Sequence, residues 1–143
     1  MGNVNIRQED DGYMGLVGED SGDGPFVFAT AEYNASSVDK TFLVAPRALR
    51  VVGITGRVTV AGTDGGSVTA TLRKVASGTA ITSGTALHSG TFNLKGTADT
   101  NQTLTLSTAS TDLDVAAGAA LAIDFTGTLT SATGAVTVAL CLK

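Results

Sequence analysis

His88 is the only imidazole and Cys141 the only thiol in this chain of 143 residues. A general base and a nucleophile would need an orienting acid and a recognisable motif around them, and neither residue sits in one. His88 precedes Ser89-Gly90 at an expected strand end, where a packed, satisfied histidine is the ordinary role. Cys141 has no base beside it in sequence, so it reads as a small packing residue. A structural zinc site needs four Cys or His ligands, and the chain holds two such residues. The metal-binding barrels that use several His and Glu ligands are excluded for the same reason. Asp20-Ser21-Gly22-Asp23-Gly24 has a faint likeness to a calcium loop, but Ala31 stands where an EF-hand needs Glu. A solvated acidic turn is the simpler account. Gly62-Thr63-Asp64-Gly65-Gly66 lacks the spacing and the following helix of a phosphate loop, and reads as a tight hairpin turn. Asp112 and Asp114 could form a carboxylate pair, or a polar strand edge around Leu113. No cofactor is expected.

The composition carries the same message. Thr, Ala and Gly number 22, 20 and 18, and charged residues make up only 15% of the chain, so reactive groups are scarce. Tryptophan is absent and aromatic residues are 5%, which counts against a sugar-binding aromatic platform. Net charge is -4, with a pI of about 4.7, and nucleic acid is therefore not an expected partner. No apolar run approaches the roughly 20 residues of a membrane-spanning helix, so no membrane partner is expected. Arg7 is followed by no apolar stretch, and a secretory leader is not expected. One domain suits this length.

The charge is unevenly placed. Residues 1–24 carry Glu9, Asp10, Asp11, Glu19, Asp20 and Asp23 against Arg7, a net of -5, whereas residues 25–143 carry eight bases and seven acids. The glycine-rich opening therefore reads as an extended acidic arm, residues 1–25, joined at Pro25 to a folded domain of residues 26–143. Bases cluster instead between positions 40 and 74, as Lys40, Arg47, Arg50, Arg57, Arg73 and Lys74. Two readings stand: solvated strand faces, or a basic surface complementary to acidic groups on a partner or symmetry mate.

From Phe26 onward the apolar period is two. Strands are expected at Phe26–Tyr33, Val38–Ala45, Ala48–Val60 (with a kink or bulge at Gly53 or Gly56) and from Val68. Weaker runs are Thr79–His88 and Thr91–Leu94. Later ones lie around Leu104 and Leu106, at Ala120–Phe125 and at Val136–Leu142. No amphipathic helix of ten residues is present. About eight short strands with Gly-rich turns predict an all-β chain, a jelly-roll-like antiparallel sandwich with an extended N-terminal arm. An immunoglobulin-like sandwich is the rival, without that fold's Cys…Trp…Cys pattern.

Phe42 to Leu140, about two-thirds of the chain, carries a family likeness. The residues involved are Arg50-Val51-Val52, Ala61 through Thr69, Phe92 through Ala98, and Leu113 with Ala116-Ala117-Gly118. Leu121 through Thr130 completes them. This stretch resembles the capsid decoration, or cement, proteins of tailed bacteriophages. The resemblance implies a jelly-roll fold and a non-enzymatic structural virion protein. Such a protein binds the outer capsid surface, clamps neighbouring major capsid protein subunits, and is made in the bacterial host cytoplasm. A homo-oligomer is implied, a trimer ahead of a dimer.

Within that picture, Val4, Ile6, Arg7, Tyr13, Met14, Leu16 and Val17 of the arm, with Arg47, Arg50 and Arg57, are the candidate capsid or partner contacts. Spaced apolar residues in an arm could anchor in capsid pockets, or pack back on the domain. The alternative function is a carbohydrate-binding or adhesin-like β-sandwich module.

Overall fold

The computed structural model describes residues 25–143. Ten strands follow one another: β1 (Phe26–Tyr33), β2 (Lys40–Val44), β3 (Leu49–Val60), β4 (Thr69–Val75), β5 (Thr85–Ala86), β6 (Phe92–Asn93), β7 (Thr100–Thr103), β8 (Asp114–Val115), β9 (Ala120–Thr126) and β10 (Thr133–Leu142). Two short 3-10 turns, Ile81–Ser83 and Ser110–Leu113, are the helical elements among the described residues.

The strands form two antiparallel sheets. The first runs β1-β10-β3-β7, with β8 on the same edge of β3 as a second short segment; the other runs β2-β9-β4-β5, with β6 beside β5 on β4. Counting β5 with β6 and β7 with β8 leaves eight strand positions, and almost every connection passes from one sheet to the other. That order is a jelly roll. Alternation explains it locally. Along β3, Leu49, Val51, Ile54 and Val58 face inward and are buried, while Arg50, Thr55 and Arg57 face out. The pattern slips by one at Val52, where the β3–β10 register shifts between Ala139 and Leu140, so Val52 and Gly53 both point outward.

The core lies between the sheets. Val51, Ile54, Val58, Val136, Val138 and Leu140 of the first sheet meet Ala70, Leu72, Leu121 and Ile123 of the second. Phe92 and Phe125 pack edge-on against Tyr33, with ring centroids 6.4 and 5.9 Å away. Burial pushes the Tyr33 phenol up to about 12.

One side of the sandwich is closed by backbone hydrogen bonds. Ser89 N–H donates to Thr105 O and Ser107 N–H to Leu87 O, each at 2.9 Å, and His88 bridges Leu106. The opposite side, between β1 and β2, is joined at one end, where the Lys40 ammonium donates to the carbonyl of Glu32; within the second sheet, Phe125 N–H of β9 donates to the Asp39 carboxylate just before β2, at 2.8 Å.

The all-β sandwich and the bulge near Gly53 agree with the sequence, and β1 has the expected bounds. Three local expectations fail. Asp64-Gly65-Gly66 is not a hairpin, because β3 and β4 belong to different sheets and the connection crosses between them. Its backbone is tied instead to distant segments, Gly62 N–H to Leu94 O and Thr63 N–H to Thr130 O, each at 2.9 Å. Turn residues specify a local bend and carry no information about which sheet receives the next strand. The strand expected around Leu104 and Leu106 lies earlier, at Thr100–Thr103, where polar residues pair with Thr55–Val58. Thr79–His88 contains a 3-10 turn and only a two-residue strand.

Candidate functional site

Phe26-Val27-Phe28 breaks the alternation of its strand by placing apolar side chains on both faces. The structure shows the outcome. Val27 points inward like Ala29, Ala31 and Tyr33, yet it is 39% exposed while those three are buried. The sandwich gapes at this end. The gap is an apolar groove of about 300 Å³, lined by Val27, Phe28, Leu43, Leu49, Leu140 and Leu142, with Pro46 and Arg47 at its rim. Pro25 lies beside it, since Leu142 N–H donates to Pro25 O at 3.2 Å.

Phe26 and Phe28 on the outward face of β1 are 59% and 70% exposed. Their cross-strand neighbours on β10 are Cys141 and Ala139, and Ala139 in turn faces Gly53 of β3. The outer face here is therefore flat and small, with two rings standing at its edge. Among the described residues β1 pairs only with β10, so its other edge is open. Edge strands ordinarily carry a bulge, Lys or Pro that blocks further pairing. From Phe26 to Tyr33 the register with β10 runs without a break, and no Lys or Pro interrupts the strand.

The expected basic contacts do not form one patch. Arg47 stands at the groove rim. Arg50 and Arg57 share the outer face of β3 but lie seven residues, about 23 Å, apart. Arg50 is held by Asp114, with Nη2 2.7 Å and Nε 2.8 Å from the same carboxylate oxygen. Arg57 reaches Asp99 at 3.6 Å and Asn101 at 3.3 Å from an exposed position. Arg73 is engaged within its own sheet, bonded to Asp124 at 2.7 Å and to Gly84 O at 2.9 Å. Lys74 donates to the backbone carbonyls of Thr111 and Asp114. Val4, Ile6, Arg7, Tyr13, Met14, Leu16 and Val17 lie outside the described residues.

The candidate chemical groups are accounted for structurally. His88 is 5% exposed and accepts Leu72 N–H at Nε2, 2.9 Å away. Nδ1, 3.3 Å from Ser89 O, therefore carries the proton. Desolvation holds the imidazole below its ordinary value, and Arg73 acts in the same direction, against the hydrogen bonds to the backbone of Ser89 and Gly90. Asp112 accepts Ser107 Oγ–H at 2.6 Å. Asp114 takes Arg50 and, at 3.1 Å, Lys143, and these partners hold its carboxyl below the usual range. Asp112 and Asp114 thus have separate partners. Cys141 is buried on the outer side of β10. No group of three or more metal-ligating side chains converges among the described residues. No described helix is long and apolar enough to cross a membrane.

The groove itself was not foreseen. Its signal was the apolar triplet at 26–28; its other walls, from Leu43 to Leu142, meet only in the folded chain.

Among the described residues, fold and groove together define a jelly-roll domain with an unpaired edge strand and an apolar groove beside it. No known protein family and no curated protein matches the chain in sequence. In three dimensions it is similar to a chain of the cyanophage Pam1 capsid asymmetric unit, with a TM-score of 0.53, 17% identity and coverage of 95% of both chains. That likeness shows a shared fold.

Proposed function

We propose that this protein is a structural component of a tailed-phage virion that binds the outer capsid surface and cements neighbouring major capsid protein subunits. The observation that carries the reading is the jelly-roll fold, shared over 95% of both chains with a chain of a phage capsid asymmetric unit. The surface supports it. Phe26, Phe28 and Val52 are exposed around a flat field of Ala139 and Gly53, and aromatic anchors on a flat face suit a protein contact. The acidic arm adds reach. Twenty-four residues extend at most about 80 Å, enough to cross a neighbouring subunit with Val4, Ile6 and Arg7 as its far contacts. Many copies on one shell multiply weak contacts, so each contact need not be strong. The domain acts without chemistry, as a homo-oligomer, with a trimer favoured.

The test is to purify virions, quantify this protein in them, and repeat with Phe26→Ser/Phe28→Ser. Stoichiometric presence and at least about tenfold weaker binding to stripped capsids by the double variant are expected, a loss of about 1.4 kcal/mol. Absence from virions overturns the role. Unchanged binding by a folded double variant removes the β1 face from it.

A further inference from the structure

Two hydrogen bonds fix the phase of β1. The carbonyl of Pro25 accepts Leu142 N–H from the β10 side, and the carbonyl of Glu32 accepts the Lys40 ammonium from the opposite side. Along an antiparallel strand, successive residues turn their N–H and C=O groups to alternate sides. Val27, Ala29, Ala31 and Tyr33 therefore bond toward β10, as Pro25 does. Phe26, Phe28 and Thr30 turn theirs to the other edge, where no described strand meets them. Lys40 ends that free edge at Glu32. What is left, Phe26 to Ala31, carries no charge. Charge is a common protection of an edge strand, and here it stands only beyond the free stretch.

We propose that this free stretch pairs with the same stretch of a second copy, antiparallel about a two-fold axis at Phe28. A second copy is the occupant that the edge itself specifies. A two-fold contact brings one patch against itself, so the outward donors and acceptors of one strand meet those of the other. Like charges facing one another are the ordinary obstacle, and Phe26 to Ala31 holds none. The register follows from the phase. With Phe28 opposite Phe28 of the second copy, Phe26 lies opposite Thr30 and Thr30 opposite Phe26, so all three outward residues find backbone partners. A slip of two residues one way carries Thr30 past Pro25, whose ring has no N–H. A slip of two the other way sets Phe26 against Glu32, whose carbonyl Lys40 already holds. A slip of one turns inward side chains outward.

The side chains fit this register. On the outer face the two Phe28 rings, each 70% exposed in the single chain, come together at the axis. On the inner face Val27 meets Ala29 of the second copy, at the close-approach position of an antiparallel pair. That contact covers Val27 beside the apolar groove. The first sheets of the two copies become one continuous sheet. The pairing closes at two copies, so it makes the free chain a dimer and not the trimer favoured on the shell.

The experiment uses the purified full-length chain without capsid, so its failure leaves the virion reading standing. Sedimentation equilibrium is run on the native chain, on Phe28→Lys, which sets two charges face to face at the axis, and on Val60→Lys, an exposed apolar position of β3. A native dimer, at least about tenfold weaker association in Phe28→Lys and no change in Val60→Lys are the expected results. A native chain that is a monomer at its highest soluble concentration, or a trimer, overturns the proposal, and so does unchanged association of Phe28→Lys. Mild oxidation of Phe28→Cys and Thr30→Cys then reads the register. Two cysteines at the axis stand about 5.5 Å apart between Cα atoms, within disulfide reach, whereas two at position 30 stand roughly 13 Å apart along the strands. A disulfide-linked dimer of Phe28→Cys alone supports the register, and equal or faster linking of Thr30→Cys overturns it.

Discussion

The imidazole of His88 completes a backbone ladder for Leu72. Strand β5 stops at Ala86, and β6 begins only at Phe92. In the interval Leu87 N–H donates to Leu72 O at 2.9 Å, and His88 Nε2 accepts Leu72 N–H at 2.9 Å. A side chain stands where a neighbouring strand would have supplied a carbonyl.

That role makes His88 a source of pH sensitivity. Its folded value is lowered by burial from the ordinary 6.5, so the unfolded chain binds the proton more readily. Above 6.5 both states are neutral and stability is complete. As pH falls from there through the lowered folded value, stability declines. Thermal melts between pH 7 and pH 5 are expected to show the decline in the native chain and its loss in His88→Leu. The variant is itself expected to be about 1–3 kcal/mol less stable at pH 7, because Leu72 N–H is left without an acceptor.

Asp114 produces an acid limb at lower pH. Lys143 and Arg50 hold its carboxyl below the ordinary 3.8, so the contribution is present above 3.8 and is lost as pH falls through the folded value. The site is solvent-accessible, and salt should weaken it. Denaturant midpoints at low and high salt, compared between the native chain and Asp114→Asn, should converge as salt rises. A midpoint gap that persists at 1 M salt would contradict this.

Gly56 and Gly127 are places where a methyl group does not fit. A Cβ on Gly56 would lie 2.6 Å from the tip of the Phe92 ring, in the centre of the core. Gly127 has φ of +89°, and its Cβ would meet Ser67 O at 2.1 Å. Gly56→Ala is expected to cost about 1–3 kcal/mol by overpacking, and Gly127→Ala a similar or larger amount by backbone strain. Gly65→Ala, where nothing lies within 4 Å, is the control and should leave the unfolding midpoint near the native one.

How much of this was legible depends on which residues are asked. Period-two alternation found β1, β3, β9 and β10, because long strands with one buried face carry the pattern in their own side chains. It missed β7 and β8. Thr100–Thr103 is polar throughout and is a strand only because β3 offers an edge to Thr55–Val58. Asp114-Val115 is too short to show a period. Arg50 was legible as an outward base but not as the partner of Asp114, since the two are 64 residues apart and meet only when β8 joins β3. The groove was the least legible feature, because its walls come from β1, β2, β3 and β10.

Strand β10 lies between β1 and β3, matched to eight residues of one and ten of the other. It is also made after both of them. During synthesis β1 and β3 must therefore wait, with their facing edges unsatisfied, until Leu142 has been made. Contacts this distant in sequence close slowly, and the exposed edges in the interval favour pairing with other chains. A chain cut short before residue 133 lacks the strand that joins β1 to β3, and its β1, which carries Phe26 and Phe28, has no native strand partner among the described residues.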